Sequence, residues 1–218
     1  WYEWICERFG ELPGAVWCVG QPEIWQIACY YAGIFLLVFG RRYVEAWKRR
    51  GTYGEENVPG VIIHSNRFQH QIATVMILGL LIGLLTGNFD RGSRVTFLDV
   101  GQGDGIVVET GQGAYLFDCG STSRKNIGEY VLKPYLKSRG ICSLRGVFVS
   151  HPDEDHMNGV LELLENGEEW GITAEQLFLP AIRESERRET FEQLLAAAED
   201  AGIPVSYIKC GDEIRDSQ

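Results

Sequence analysis

The stretch SHPDEDHMNG, residues 150–159, is the most informative part of the sequence, and it directly follows the short apolar run GVFV at residues 146–149. Within six positions it carries two imidazoles and two carboxylates, which belong to His151, Asp153, Asp155 and His156. Few arrangements other than a metal site need that density of nitrogen and oxygen donors. We therefore predict that the four side chains converge on a divalent metal. A solvated acidic cap before a helix is the alternative, but it accounts for the aspartates and not for the flanking histidines.

Around this loop, short apolar runs alternate with helical patterns. The apolar runs predict strands at residues 95–100, 106–110, 115–118, 146–150, 176–179 and 203–209, of which the first three form an antiparallel meander. Helical patterns lie between Ile127 and Gly140, from Asn158 as N-cap to about residue 165, and at residues 186–201. A meander followed by alternating strands and helices is typical of a layered α/β domain.

Two uncharged apolar stretches precede this domain, at residues 24–40 and 72–89. Both approach the length of about 20 residues that a membrane-spanning helix needs, so we expect two transmembrane helices, with buried helices of a soluble protein as the alternative. Basic residues crowd the segment after the first stretch, which places the loop 41–71 in the cytoplasm and the domain after residue 93 outside. Gly79, Gly83 and Gly87 share one face of the second helix, where either another helix packs closely or glycine is simply tolerated.

The charge is unevenly distributed along the chain. Residues 1–93 contain eight Lys/Arg and eight Asp/Glu, whereas the rest contain twelve and 22, so the formal charge of −10 belongs to the C-terminal part. An acidic domain is not typical of nucleic-acid binders, which displace counterions from phosphates with basic residues, unless some of its acids hold metal ions. The six cysteines show no C-x-x-C spacing. A disulfide between Cys6 and Cys18 is one option if both lie outside the membrane.

Two further motifs lie upstream of the histidine-rich loop, FLDVGQGDG at residues 97–105 and LFDCG at residues 116–120. Together with KPYLKSRGI at residues 133–141, they resemble the ComEC-type subgroup of the metallo-β-lactamase superfamily. The loop itself resembles the H-x-H-x-D-H signature of that superfamily. The resemblance implies an α/β fold, the N-terminal half of an αββα sandwich truncated at its C-terminus, at residues 94–218. It also implies that residues 1–93 are the end of a multi-pass membrane domain.

The resemblance assigns roles to several side chains. His151 would bind a first metal, and Asp155 and His156 a second one. Asp155 and Asp118 are assigned to the catalytic group, in which Asp118, the aspartate of the LFDCG motif, supports the ligand loop. Asp153 stands where the signature has its second histidine, and an oxygen ligand there favours Mn²⁺ or Mg²⁺ and leaves Zn²⁺ open.

Two features of the sequence bear on how complete the site is. Asp99 and Asp104 match positions of the subgroup's first motif, and each is either part of the site or a buried aspartate that caps a turn. The superfamily's later ligands, an aspartate and a histidine beyond downstream strands, have no counterpart before Gln218. We therefore expect an incomplete metal site and no activity from the chain by itself.

The function that the resemblance implies is that of a hydrolase with one or two divalent metals. The parent protein would be a DNA-uptake protein of the bacterial cell membrane, whose extracytoplasmic domain cleaves phosphodiester bonds of incoming DNA. Two alternatives are a hydrolase of a non-nucleic-acid ester or lactam and an inactive scaffold domain. The expected partners are single-stranded DNA, membrane lipid, other membrane helices of the same protein and other competence proteins.

Overall fold

The computed structural model describes residues 1, 2, 4, 5, 8, 18–51, 67–87, 92–151, 153–183 and 189–214. The chain divides into two compact units. The sheet unit comprises residues 1–21 and 89–218, and the helical unit comprises residues 22–88. The N-terminal segment therefore groups with the sheet and not with the helices that come next in sequence.

The helical unit contains two described helices, α1 (Ile24–Gly51) and α2 (Arg67–Thr86). Helix α1 continues through the basic residues that we expected in the cytoplasmic loop 41–71, so the first part of this predicted loop is helical. Residues 52–66 lie outside the described residues. Helix α2 ends before residue 89, the predicted end of the second apolar stretch.

Neither described helix combines the length and the apolarity that a membrane span requires. The prediction of two transmembrane helices is therefore not supported. The physical reason is that each helix contains a polar segment: α1 ends with RRYVEAWKRRG, and α2 begins with RFQHQ. The apolar part of each helix is consequently shorter than the length of about 20 residues that crosses a bilayer.

A polar side chain holds the two helices of this unit together. Gln26 is only 2% exposed, and its Nε2 donates hydrogen bonds to the carbonyl groups of Leu84 (2.6 Å) and Gly87 (2.9 Å). Its Oε1 accepts the N–H of Glu23 at 2.5 Å. Because the last carbonyl groups of a helix lack intrahelical partners, Gln26 caps the C-terminal end of α2 from the start of α1.

The glycines of α2 do not face α1. A Cβ atom placed on Gly79 or on Gly83 would have no neighbour within 4 Å, whereas one on Gly33 of α1 would meet the side chain of Leu81 at 2.6 Å. Helix α1 therefore approaches α2 through its own glycine. The predicted contact of another helix with the glycine face of α2 stays a prediction.

The sheet unit contains seven described strands and three described α-helices. The strands are β1 (Arg94–Phe97), β2 (Gly105–Glu109), β3 (Ala114–Cys119), β4 (Ser143–Phe148), β5 (Thr173–Ala174), β6 (Leu177–Pro180) and β7 (Val205–Ile208). A π-helical turn (Gly128–Leu132) continues into α3 (Lys133–Arg139), and α4 (Glu154–Trp170) and α5 (Glu189–Asp200) come later in the chain. The strand order is β1-β2-β3-β4-β6-β7, and β5 pairs with β4.

The direction of the strands changes in the middle of the sheet. Strands β1, β2 and β3 form the predicted antiparallel meander. Strands β3, β4, β6 and β7 are parallel, and the connections between them contain the helices. The predicted α/β class is therefore confirmed.

The hydrophobic core lies between this sheet and its helices. Leu116 of β3, Val147 of β4 and Leu177 of β6 are fully buried, together with Val160 of α4 and Leu194 of α5. Each of these strand residues points away from its neighbours in sequence, since successive side chains of a strand alternate between faces. The helices therefore cover one face of the sheet.

An aromatic row runs across the opposite face. Phe97, Ile106, Phe117, Phe148 and Phe178 are cross-strand partners from β1 to β6. The rings of Phe117 and Phe148 stack with centroids 4.6 Å apart, and those of Phe148 and Phe178 with centroids 4.4 Å apart. Phe97 is 75% exposed. This face is apolar and partly open, and the predicted second sheet of a sandwich stays a prediction.

The start of α4 differs from the prediction. Its N-cap is Asp153 (φ −102°, ψ 149°) and not Asn158, so the helix begins at Glu154. Asp153 makes no side-chain capping hydrogen bond, but its carbonyl accepts the N–H of His156 at 3.0 Å, and the acidic Glu154 and Asp155 in the first turn favour the positive end of the helix dipole. As a consequence, Asp155 and His156 lie in the first helical turn and not in an extended loop.

A disulfide joins the N-terminal segment to the rest of the sheet unit. Cys18 is bonded to Cys142, which directly precedes β4, and their Cα atoms are 6.1 Å apart. The N–H of Gln21 also donates to the carbonyl of Ser138 at 2.6 Å. Because a cysteine forms one disulfide, this pairing excludes the bond between Cys6 and Cys18 that we considered. Cys6 lies outside the described residues.

Candidate metal centre

The predicted ligand loop lies at the C-terminal end of β4, between two neighbouring parallel strands. Ligand sites of open parallel sheets typically lie beyond the carboxyl ends of the strands. Ser150 and His151 are exposed there, Asp153 caps α4, and Pro152 lies outside the described residues. The loop thus lies at the edge of the sheet where a site is expected.

His156 has the most constrained side chain of the loop. Its Nδ1 lies 3.1 Å from Oδ2 of Asp118 and 3.8 Å from Oδ2 of Asp104. Its Nε2 faces the other way and lies 4.0 Å from Oδ2 of Asp155. A carboxylate that accepts the Nδ1 proton fixes the tautomer in which Nε2 carries the free electron pair. This is the arrangement of a histidine that binds a metal through Nε2.

Asp118 holds this arrangement from the end of β3. Its carboxylate accepts the N–H of Ser150 at 2.7 Å and the hydroxyl of Ser150 at 2.6 Å, in addition to the contact with His156. Asp118 is 8% exposed, and its φ of +51° lies in the left-handed region that non-glycine residues rarely adopt. Strained backbone of this kind concentrates at functional sites. The side chain is thus committed to the loop, and its place in the catalytic group stays a prediction.

Sequence reasoning missed two residues that position the loop. Ser150 contributes both of its donors to Asp118. Asn158, which we predicted as a helix cap, lies inside α4 and accepts the N–H of Ser121 at 3.0 Å while donating to the carbonyl of Ser121 at 2.7 Å. Both residues stand in the stretch 150–159, but no local pattern indicates a partner more than 30 positions away.

The remaining predicted ligands do not gather around one point. The ring centroids of His151 and His156 are 5.9 Å apart, and Asp153 occupies the N-cap position. Asp155 and His156 are consecutive residues of a helix, so their side chains leave the axis about 100° apart. Among the described residues, no three His, Cys, Asp or Glu side chains are grouped in a way that could hold a metal ion. The predicted convergence of four ligands is therefore not seen.

The donor chemistry nevertheless suits a divalent cation. Nε2 of His156 and the carboxylate of Asp155 are a nitrogen and an oxygen donor of the kinds that such ions take. Asp118 supplies the outer carboxylate that a metal-binding histidine commonly has. The described residues therefore fit part of a metal site.

Cys119 lies beside this site, in the hydrophobic core. Burial raises the pKa of the Cys119 thiol to about 12, and the charges of Glu162 and Asp118 raise it further. The sulfur is consequently protonated at neutral pH, and a protonated thiol is neither a nucleophile nor a metal ligand. The side chain instead fills the core between β3 and α4, where a Cβ atom on Gly159 would lie 2.8 Å from its sulfur.

The two motif aspartates are in different surroundings. The side chain of Asp99 is 84% exposed, and both its carboxylate and its carbonyl group accept hydrogen bonds from Arg124, at 3.3 Å and 2.8 Å. The side chain of Asp104 is 63% exposed and faces His156. The alternative of a buried, turn-capping aspartate is therefore wrong for both side chains.

A cavity of about 920 Å³ lies elsewhere in the sheet unit, between the C-terminal halves of α4 and α5. Leu164, Gly171 and Ala197 are among the residues that line it, and none of the predicted metal ligands does. Because α4 ends at Trp170, 14 residues after His156, its C-terminal end is about 21 Å from His156 along the helix axis. The candidate metal site therefore lies at the C-terminal edge of the sheet, beyond β4, and not in this cavity.

Comparisons with known proteins identify the family of the segment that contains the site. The sequence profile of the metallo-beta-lactamase superfamily matches residues 98–207, a segment that includes all of the predicted ligands. The chain is also 29% identical over 161 residues to ComE operon protein 3 of Bacillus subtilis (strain 168). That alignment covers 66% of this chain and 19% of the relative, so the chain spans about a fifth of the relative's length.

Proposed function

The chain belongs to the metallo-β-lactamase superfamily and is of ComEC type, and from this premise we propose that its sheet unit acts as the metal-dependent hydrolase domain of a bacterial DNA-uptake protein. The proposed reaction is the hydrolysis of phosphodiester bonds in incoming single-stranded DNA. Because the chain covers only a part of its relative, the activity and the partners of the whole protein belong to the proposal.

The observation that carries the proposal is the environment of His156. Asp118 accepts from Nδ1, and Nε2 is directed toward the carboxylate of Asp155. Asp118 is buried and holds the His156 ring in one orientation, as an outer carboxylate holds a metal-binding histidine. We therefore assign Nε2 of His156 and the carboxylate of Asp155 to a divalent cation, with His151 as a nearby second imidazole.

A bound divalent cation would activate water and neutralise charge on the scissile phosphate. The chain's own residues prepare this chemistry: Asp118 and Ser150 hold the loop, and Asp155 contributes an oxygen donor. Asp153, where the superfamily signature has a histidine, would supply a second oxygen donor from the N-cap of α4. Since oxygen donors favour harder cations, the proposal prefers Mn²⁺ or Mg²⁺ and leaves Zn²⁺ open.

Metal content is the first test. We expect His156→Ala and His151→Ala to lower the bound Mn²⁺ of the parent protein's domain, measured by elemental analysis after dialysis. Loss of an outer carboxylate typically weakens metal binding about 10–100-fold, so Asp118→Asn should reduce it by that order. Asp99→Asn is the matched control, because Asp99 bonds to Arg124 and not to the loop. Unchanged metal content in both histidine variants would rule out the site.

A nuclease assay tests the reaction. The complete domain of the parent protein should cleave a labelled single-stranded oligonucleotide with Mn²⁺ or Mg²⁺ and lose this activity when the metal is chelated. Cleavage without metal would contradict the proposal.

We also propose that the sheet unit faces the oxidising, extracytoplasmic side of the bacterial membrane. The disulfide between Cys18 and Cys142 supports this location, because such bonds persist in oxidising compartments and are rare in the cytosol. Protease added outside intact cells should cut the protein near the exposed Lys125. Resistance of the segment around Lys125, together with cleavage between residues 41 and 71, would indicate the opposite orientation.

For the helical unit, we propose contacts with lipid and with other helices of the parent protein, and other competence proteins are further proposed partners. Exposed apolar side chains of both helices support these contacts, among them Phe35 (60% exposed), Leu36 (68%), Val75 (68%) and Leu80 (72%). Photo-crosslinking from position 36 in cells should capture a lipid or another segment of the parent protein. If the helical unit stays soluble and forms no crosslinks, this part of the proposal is contradicted.

Two observations favour other functions. The excess of 22 Asp/Glu over twelve Lys/Arg after residue 93 is more compatible with a non-nucleic-acid ester or lactam as substrate. The lack of a three-donor group among the described residues is what an inactive scaffold domain would have. Hydrolysis of a chromogenic ester or lactam by the complete domain would favour the first alternative. Full metal loading without any hydrolysis would favour the second.

A further inference from the structure

The loop between β1 and β2, residues 98–104, runs beside the first turn of α4. The N–H of Asp104 donates to the carbonyl of Asp155 at 3.2 Å, and the carbonyl of Asp104 accepts the N–H of Gly120 at 2.9 Å. The main chain of Asp104 thus bridges the end of β3 and the turn that carries His156. Two segments of the molecule that are distant in sequence are joined through one residue.

Two glycines make this approach of main chain to main chain feasible. A Cβ atom on Gly103 would overlap the carbonyl of Gly120 and lie 2.7 Å from the carbonyl oxygen of Asp155. A Cβ atom on Gly120 would overlap the main chain of Asp155 and His156. Neither glycine has a positive φ, so close approach and not backbone freedom requires them.

The side chain of Asp104 points to the same place as its main chain. Its Oδ2 lies 3.8 Å from Nδ1 of His156, on the side of the ring that Asp118 already contacts at 3.1 Å. The carboxylate of Asp104 is therefore directed at the nitrogen that does not face the proposed cation. At 3.8 Å this contact is electrostatic and not a hydrogen bond, and it lies on the other side of the ring from Asp155, which is beside Nε2.

We propose that Asp104 is a positioning residue for His156, acting through its main chain on the Asp155 carbonyl and through its carboxylate on Nδ1. Gly103 and Gly120 serve the same purpose, since they admit this contact. Asp99, the other acidic residue of the motif, has no such role because Arg124 holds it. The inference depends on contacts within this chain and not on the identity of the metal or substrate.

Imidazole resonances of the metal-free chain at one fixed pH provide the test of the carboxylate. Asp104→Asn should move the ring ¹⁵N and proton resonances of His156 and leave those of His151 in place. Asp99→Asn is the matched control and should leave both rings unchanged. A purely structural effect would lower the unfolding temperature without this selectivity for one ring. The proposal is overturned if the His156 resonances are unchanged in Asp104→Asn, or if Asp99→Asn moves them as much.

Amide exchange tests the main-chain contact. Gly103→Ala should accelerate exchange of the Asp104 N–H by about tenfold, the equivalent of about one lost hydrogen bond. Gly111→Ala is the matched control, because a Cβ atom there would have no neighbour within 4 Å. Equal protection in both variants would refute the close-approach argument. If Gly103→Ala fails to fold, the Asp104→Asn spectra still decide the proposal, since that variant leaves both glycines intact.

Discussion

The two units of the molecule differ in how far their apolar side chains are buried. In the sheet unit, Leu116, Val147 and Leu177 are fully buried, whereas Leu36 and Leu80 of the helical unit are 68% and 72% exposed. Among the side chains described in the helical unit, only that of the polar Gln26 is buried. Apolar sequence predicted a regular element correctly in both units, but what covers an element depends on partners that a sequence pattern does not name.

The largest difference between the units should come from truncating one leucine in each. Leu116→Ala removes a fully buried side chain and should lower the free energy of unfolding by about 2–5 kcal/mol, because it leaves a cavity in the core. Leu80→Ala, at an exposed position, should change it by less than about 0.5 kcal/mol. Urea denaturation of both variants provides the measurement. Equal losses would mean that the exposed helical surface is buried in solution.

The disulfide of the sheet unit provides the next largest effect. Cys18→Ser should destabilise this unit by about 2–4 kcal/mol, because the bond restricts the unfolded chain over a sequence separation of 124 residues. Cys210→Ser removes an exposed free thiol and serves as the control. In thermal unfolding, reductant should lower the stability of the wild type by the same amount as the Cys18→Ser substitution does. A reductant-insensitive wild type would show that the bond does not form.

In the helical unit, we expect the largest loss of stability from the removal of hydrogen bonds and not from the removal of buried apolar groups. Gln26→Ala leaves carbonyl groups of α2 without their buried donor, which should weaken this unit by about 1–3 kcal/mol. Faster amide exchange at the end of α2 would report the loss. Leu36→Ala on the same helix is the control and should leave exchange nearly unchanged, since the side chain is exposed. The reverse order would indicate that apolar contacts hold the helices.

The smallest effect concerns pH and the sheet unit. Burial raises the pKa of Glu162 above its ordinary value of 4.5, although the N–H groups of Glu129 and Gly128 lower it. Glu162 therefore contributes stability below its unfolded pKa, and this contribution is lost as pH rises through the folded pKa. Glu162→Gln should lose less stability than wild type as pH rises above 4.5, the ordinary pKa of this carboxyl group. Glu169→Gln, an exposed residue on α4 that does not contribute to the pKa of Glu162, should match the wild-type curve.

The elements that were predicted correctly are those encoded over a few residues. The helix that we expected to end near Gly140 does so in the structure, where Gly140 adopts φ 70° and ψ 28° as a C-cap. The strands β1 to β3 fall within a few residues of the predicted runs. The N-cap of α4 was predicted five residues too late, at Asn158 instead of Asp153, because both residue types are common at N-caps. In the structure, Asn158 instead bonds to the main chain of Ser121 from inside the helix.

The sequence by itself determined the α/β class, the superfamily and the loop that carries the candidate ligands, because periodicity, turn residues and motif spacing act over short stretches. Tertiary structure decided the partners of these residues: Ser150 on Asp118, Cys18 on Cys142, and Asp104 beside His156. It also decided that the four predicted ligands do not meet among the described residues. Such contacts join residues that are tens of positions apart, and their geometry exists only once strands and helices have packed.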